Sequence, residues 1–226
     1  MWRICASKEM IPDLVYCADG NRRFAEIAIA HGYRYGAQLP HRGLHYPIWF
    51  ADQNWKKPDR GRYIDALAEH KPHMATVLDL EQWHQLDEVL SWAEEAARYV
   101  AVVLIIPKAF GIISELPRHI GSAEVRLGYS VPTKFGGTEL PVWEFFGWPV
   151  HLLGGQPHQQ MKLAHYMDVH SADSNYHHLM ATRYNEFWMK GSWHELSAYG
   201  DHMRHDAIYR AFERSCANIV EAWLAL

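Results

Sequence analysis

Residues 100–106 read VAVVLII, an apolar and largely β-branched run with no polar position to offer water. A strand wet on one face alternates apolar and polar residues, whereas one that is apolar throughout is covered on both faces, as in a parallel sheet flanked by helices. Outward from this run, Val100–Ile106, seven more short apolar segments recur: Leu14–Ala18, Tyr33–Leu39, Tyr46–Ala51 and Met74–Leu78 before it, Val125–Val131, Val150–Leu153 and Val169–Ala172 after it. Between them, Arg22–His31, Arg60–His70, His84–Tyr99 and Gln159–Met167 carry apolar residues at three- and four-residue spacings, the stripe of a helix packed on a sheet. Gly32 stops the first of these, and His70-Lys71 before Pro72 stops the second. Eight strands in βαβα order predict an α/β fold, a single-domain (β/α)8 TIM-like barrel; a doubly wound open sheet is the other arrangement with this alternation.

The 226 residues suit one core, with the barrel over about 12–175. Two crossovers are irregular, since PHRGLH at 40–45 is too short for a helix and Phe110–Gly121 is weakly patterned. Beyond Asn175 the chain reads as helical and aromatic (Tyr176, Phe187, Trp188, Trp193), a C-terminal extension over about 176–226 that ends in an amphipathic helix, Arg204–Leu226. No window approaches 18 uninterrupted apolar residues, which excludes a membrane span. The first residues, MWRICASKEMIPD, carry Arg3, Lys8 and Glu9 and no apolar h-region, so a cytoplasmic protein is expected. Cys5, Cys17 and Cys216 lack metal or disulfide spacing and read as packed thiols. The sixteen histidines include no HExxH or similar pair, so neither metal nor cofactor is expected. A net charge of −4 excludes a broadly basic nucleic-acid binder and leaves only local contact with a polyanion.

In a barrel of this kind the active site lies where the strands end. Acids follow four of the runs: Asp19-Gly20-Asn21, Asp52-Gln53-Asn54, Asp79, and Asp173-Ser174-Asn175. The other ends carry Pro107-Lys108, Gly128-Tyr129-Ser130 and Gly154-Gly155. Carboxylates gathered at one mouth repel, so their presence there asks for a function, although each alone could cap a helix. Arg22 and Arg23 after the first strand, and Lys56, Lys57, Arg60 and Arg62 after the third, stand at helix starts where cations oppose the dipole, which suits phosphate binding. Tyr129, Trp55 and Tyr176 are candidates for stacking an extruded base.

The order of these strand-end motifs resembles the tRNA-guanine/DNA-deazaguanine transglycosylases, barrels that exchange guanine for a 7-deazaguanine base. VHLLGGQP followed by DVHSADSN is similar to the family's last two strands, and the resemblance makes Asp173 the nucleophile that attacks the anomeric carbon. WFADQNW is similar to the strand bearing the second catalytic aspartate, here Asp52. By the same resemblance Asp79 reads the N1/N2 edge of guanine, with Lys108, Gly128, Tyr129, Gly154, Gly155 and Asn175 around the base. Gln53-Asn54-Trp55 replaces the family's glycine-rich continuation, and the cysteine-rich zinc subdomain of the tRNA enzymes is absent. The shorter relatives that modify DNA, often encoded by bacteriophages, resemble the chain better and place it in the host cytoplasm.

These resemblances imply DNA rather than tRNA as partner, a free 7-deazaguanine base as co-substrate and no metal. The chemistry is self-consistent: a carboxylate forms a covalent glycosyl intermediate while a second acid serves the departing and arriving bases. Two other functions use the same residues. One is a nucleosidase or N-glycoside hydrolase acting on a small nucleoside; the other is a non-catalytic nucleic-acid-binding barrel.

Overall fold

The computed structural model describes residues 11–17, 21–41, 43–133, 136–199 and 206–226. The strands in chain order are β1 (Asp13–Cys17), β2 (Arg34–Leu39), β3 (Phe50–Gln53), β4 (Met74–Thr76), β5 (Val102–Ile105), β6 (His119–Ile120), β7 (Ala123–Ser130), β8 (Pro149–Leu153) and β9 (Asp168–Asp173). All except β6 are parallel and follow the order β5-β4-β3-β2-β1-β9-β8-β7, and pairing of β5 with β7 closes the ring. The (β/α)8 barrel expected from the apolar runs is therefore present, with one strand for each run.

The helical layer is uneven. α1 (Arg22–Ala30), α2 (Arg60–His70), α3 (Leu86–Ala96) and α4 (Pro157–Ala164) follow β1, β3, β4 and β8. Among the described residues no helix joins β2 to β3, and the β5–β7 crossover is a 3-10 turn (Ile112–Glu115) plus the short antiparallel β6. These are the two irregular segments of the sequence. β7 and β8 are also joined by a 3-10 turn, Val142–Phe145. Polar residues immediately before two of the helices cap them: the Asn21 side chain accepts the Arg23 amide and Asp59 accepts the Arg62 amide, each satisfying an otherwise open donor.

Beyond the barrel, α5 (Tyr176–Tyr184) leads into an antiparallel hairpin, β10 (Glu186–Met189) with β11 (Ser192–Glu195), before α6 (Ala207–Leu224). The hairpin corrects the expectation of a wholly helical extension. Phe187 and Trp188 are aromatic strand residues, both buried, with Phe187 in the apolar core beneath α6. α6 buries Phe212, Cys216, Ile219 and Trp223, one stripe at helical spacing, against α1, α5 and β10. Cys216 is thus the packed thiol the sequence suggests, while Cys5 and Asp19 lie outside the described residues. Among the described residues no helix is long and apolar enough to cross a membrane.

Two cores result. The larger fills the space between strands and helices. The smaller consists of Val15, Phe50, Met74, Val102 and Leu104, with Cys17 and Leu153 packed on it, and plugs the barrel interior. Because strand side chains alternate, inward Val15 and Phe50 fix inward directions two residues on, at Cys17 and Asp52.

Candidate active site at the barrel mouth

Above that plug, Asp52 from β3, Cys17 from β1 and Asp173 from β9 converge. β3 begins later and ends later than the apolar run suggested, so Asp52 is a strand residue and not the first residue of a loop. Its Oδ1 accepts the Thr76 hydroxyl at 3.1 Å, and that hydroxyl in turn accepts the Gln53 amide at 2.8 Å. Burial, followed by the negative charge of Asp173, raises the Asp52 carboxyl to a pKa of about 7, and the Thr76 hydrogen bond only partly offsets them. Asp52 therefore holds its proton for much of the time near neutrality.

Asp173 stands at the other side of the mouth, where its carboxylate is tied to β8 and the turn after it. Its Oδ1 accepts from His151 Nε2 at 3.1 Å and from the Gly154 amide at 3.3 Å. Gly154 has φ 63°, a left-handed conformation that turns its N–H back to the carboxylate, with open space where a side chain would be. Its neighbour Gly155 is required for a different reason: a Cβ there would meet Val131 at 2.5 Å.

Behind Asp173 runs a chain of buried polar groups on β7, β8 and β9. Arg126 Nη1 donates to Ser171 Oγ at 3.0 Å, Ser171 Oγ lies 2.8 Å from His151 Nδ1, and His151 Nε2 reaches Asp173. Arg126 is a donor only, and a carboxylate facing Nε2 requires a proton there, so Nδ1 is the acceptor and Ser171 gives it the hydroxyl proton. Burial lowers the His151 pKa and keeps the ring neutral against the Asp173 contact. The direction of every hydrogen bond is thereby fixed, and the carboxylate has little freedom to rotate. Replacing His151 with Leu is expected to lower stability by about 1–3 kcal/mol, because Ser171 and Asp173 lose a buried partner. Equal denaturant midpoints for the variant and the wild type would show that the chain of bonds contributes nothing.

Cys17 was read from the sequence as a packed thiol, but it lies at this mouth. A Cβ on Gly36 of β2 would meet its Sγ at 2.8 Å, so the missing side chain of Gly36 makes room for it. Burial, with the charges of Asp173 and Asp52, pushes the thiol well above its ordinary pKa, and a neutral thiol beside two acids is a hydrogen-bond partner and not a nucleophile.

The remaining expected residues divide. Asp79 and Lys108 meet at the ends of β4 and β5, with Lys108 Nζ 2.6 Å from Asp79 and 3.0 Å from Glu81. Burial would lower the Lys108 pKa, but the two acids outweigh it and raise the value, so the ammonium stays charged and pins Asp79. Asn175 is exposed at the start of α5. Tyr129 and Gly128 are engaged in packing. Tyr129 alternates outward from the barrel and packs edge-on against Phe145 in the core. Gly128 faces inward, but a Cβ there would lie 2.7 Å from Ile106, so its smallness serves interior packing. Tyr176 packs on Trp193, whereas Trp55 is 64 % exposed, with Lys56 Nζ 5.2 Å from its ring centre.

Three of the expected phosphate-binding cations are already engaged. Arg60 turns away from the mouth to Glu95 and Ser91 of α3, Arg22 pairs with Glu26, and Arg23 pairs with Asp206 while lying over Tyr209. Lys57 and Arg62 instead line a cleft of about 520 Å³ at the rim, together with Gln38, Gln53 and Asp59. Among the described residues, no group of three His, Cys, Asp or Glu side chains is placed to hold a metal ion. No protein of curated function matches the chain. A family model matches residues 25–224, most of the barrel and its extension, and the chain accordingly belongs to a family of unknown function (DUF6610).

Proposed function

We propose that the chain is a base-exchange transglycosylase that replaces guanine in DNA with a 7-deazaguanine derivative through a covalent intermediate on Asp173. The observation carrying this reading is the different surroundings of two acids in one mouth: Asp52, buried and raised to a pKa of about 7, and Asp173, fixed by hydrogen bonds from His151 and Gly154. Two carboxyl groups in one site whose surroundings differ are the usual arrangement for acid and nucleophile. Asp173 attacks C1′ as the C1′–N9 bond breaks, and the leaving guanine takes the Asp52 proton. The incoming base then returns a proton to Asp52 while its N9 displaces Asp173 from C1′. Asp79, pinned by Lys108, accepts from N1–H and the exocyclic amine. The motif resemblance over the last two strands supports the choice of base.

The small-nucleoside hydrolase remains a second reading, favoured by the pairing of Arg22, Arg23 and Arg60 with acids of the chain itself. Incubation with guanine-containing DNA and free 7-deazaguanine, followed by denaturation, separates the two. Transglycosylation gives a protein–DNA adduct and a product mass shifted by the base difference. Release of guanine without adduct or incorporation would reject the exchange reaction.

A further inference from the structure

The cleft at the rim is separate from the acids and is chemically different from them. It opens between the ends of β2 and β3 and the start of α2, and Asp52 does not line it. Gln38, the register partner of Asp52 across β2 and β3, forms part of its wall, so an occupant would sit one residue away from the acid. Alternation sends Gln53 to the side of the strand opposite Asp52 and towards the cleft.

Two observations there are unexplained by the fold. Gln53 is 2 % exposed, and its Oε1 has no hydrogen-bond partner. Buried amide oxygens are nearly always paired, so an open one in a cleft wall points to a missing donor. Second, Lys57 and Arg62 face the same space and form no ion pair among the described residues. The one acid in the lining, Asp59, is turned to the helix, where its Oδ1 takes the Arg62 amide at 3.2 Å.

We propose that this cleft binds the phosphate group of a nucleotide, held by the side chains of Lys57 and Arg62, with a ligand hydroxyl donating to Gln53 Oε1 and the sugar directed towards Asp52. The proposal deepens the transglycosylase reading, on which the placement of the sugar rests, by making the substrate a phosphorylated nucleotide unit and not a free nucleoside. The volume is that of a small-molecule site and accommodates a nucleotide monophosphate. The two cations are exposed, so removing them leaves the core untouched.

Calorimetric titration of the full chain with 2′-deoxyguanosine 5′-monophosphate, with 2′-deoxyguanosine and with inorganic phosphate tests the site. The nucleotide is expected to bind at least roughly tenfold more tightly than the nucleoside, with inorganic phosphate competing. The double variant K57A/R62A should lose that advantage and bind the nucleoside as the wild type does. Equal affinity for nucleotide and nucleoside, absence of nucleotide binding at millimolar concentration, or unchanged nucleotide binding by K57A/R62A would each overturn the proposal. Those results are distinct from failure of the chemistry: a protein–DNA adduct formed by a chain that ignores the monophosphate removes the cleft alone, whereas nucleotide binding without any adduct removes the exchange reaction and leaves the cleft.

Discussion

The Asp173→Asn variant is expected to fold like the wild type and to lose base exchange on the order of 10³-fold or more, with no covalent adduct. Its surroundings tolerate the change, because an asparagine Oδ1 accepts from His151 Nε2 and from the Gly154 amide as the carboxylate does. What disappears is the second oxygen's capacity to form and release an ester at C1′. A further signature belongs to this variant alone. The Asp173 charge is one of the forces holding the Asp52 proton, so the apparent Asp52 pKa should fall from its value of about 7 when that charge is removed. Single-turnover exchange and adduct formation measure the first effect, and carboxyl titration by nuclear magnetic resonance measures the second. Retention of more than a tenth of wild-type exchange would reject Asp173 as nucleophile.

The second large effect concerns Asp52 and has opposite consequences for activity and stability. Its folded pKa of about 7 exceeds the ordinary 3.8, so across that interval the folded chain keeps a proton the unfolded chain has released. Stability from this group is therefore greatest below about pH 4, declines as pH rises towards 7 and is flat above. Asp52→Asn removes the liability. The variant should gain on the order of 3–4 kcal/mol relative to wild type at pH 8, and clearly less at pH 5. The same substitution removes the proton carried to the leaving base, with an expected loss of roughly 10²–10⁴ in exchange. Thermal unfolding of both proteins at the two pH values tests the linkage; an equal difference at each would contradict the raised pKa.

Much of the barrel was legible because parallel strands covered on both faces leave continuous apolar runs such as 100–106, and all eight runs became strands. The hairpin was not, although the Lys190-Gly191 pair between aromatic segments has a turn signal; both residues adopt left-handed φ, 49° and 85°. Aromatic residues there could equally have packed from a helix. Asp52, Asp173, Asp79 and Lys108 were found by position alone, since strand ends define the mouth. The residues that govern Asp173 were missed for a reason of geometry. His151 and Ser171 lie inside the strands, and only alternation counted from a known inward residue shows that they face Asp173. The same count would have turned Tyr129 outward. Arg60 was misplaced because its partner, Glu95, is distant in sequence and adjacent only once α2 and α3 pack.

The seal between β1 and β9 has a consequence for how the molecule is made. Asp13 pairs with Ser171, and α1 rests on α6, so although β1 has β2 on one side, the earliest elements find their other neighbours only among the latest. At ordinary elongation rates of about 5–20 residues per second, β1 waits on the order of ten seconds or more on the ribosome with one edge unpaired. Local pairings from β1 to β5 can form meanwhile as an open, curling sheet, but the ring cannot shut until β9 has emerged. Assembly thus ends with closure, and the exposed margin of β1 is where a nascent chain would be open to chaperones or to mispairing with its neighbours on the same message.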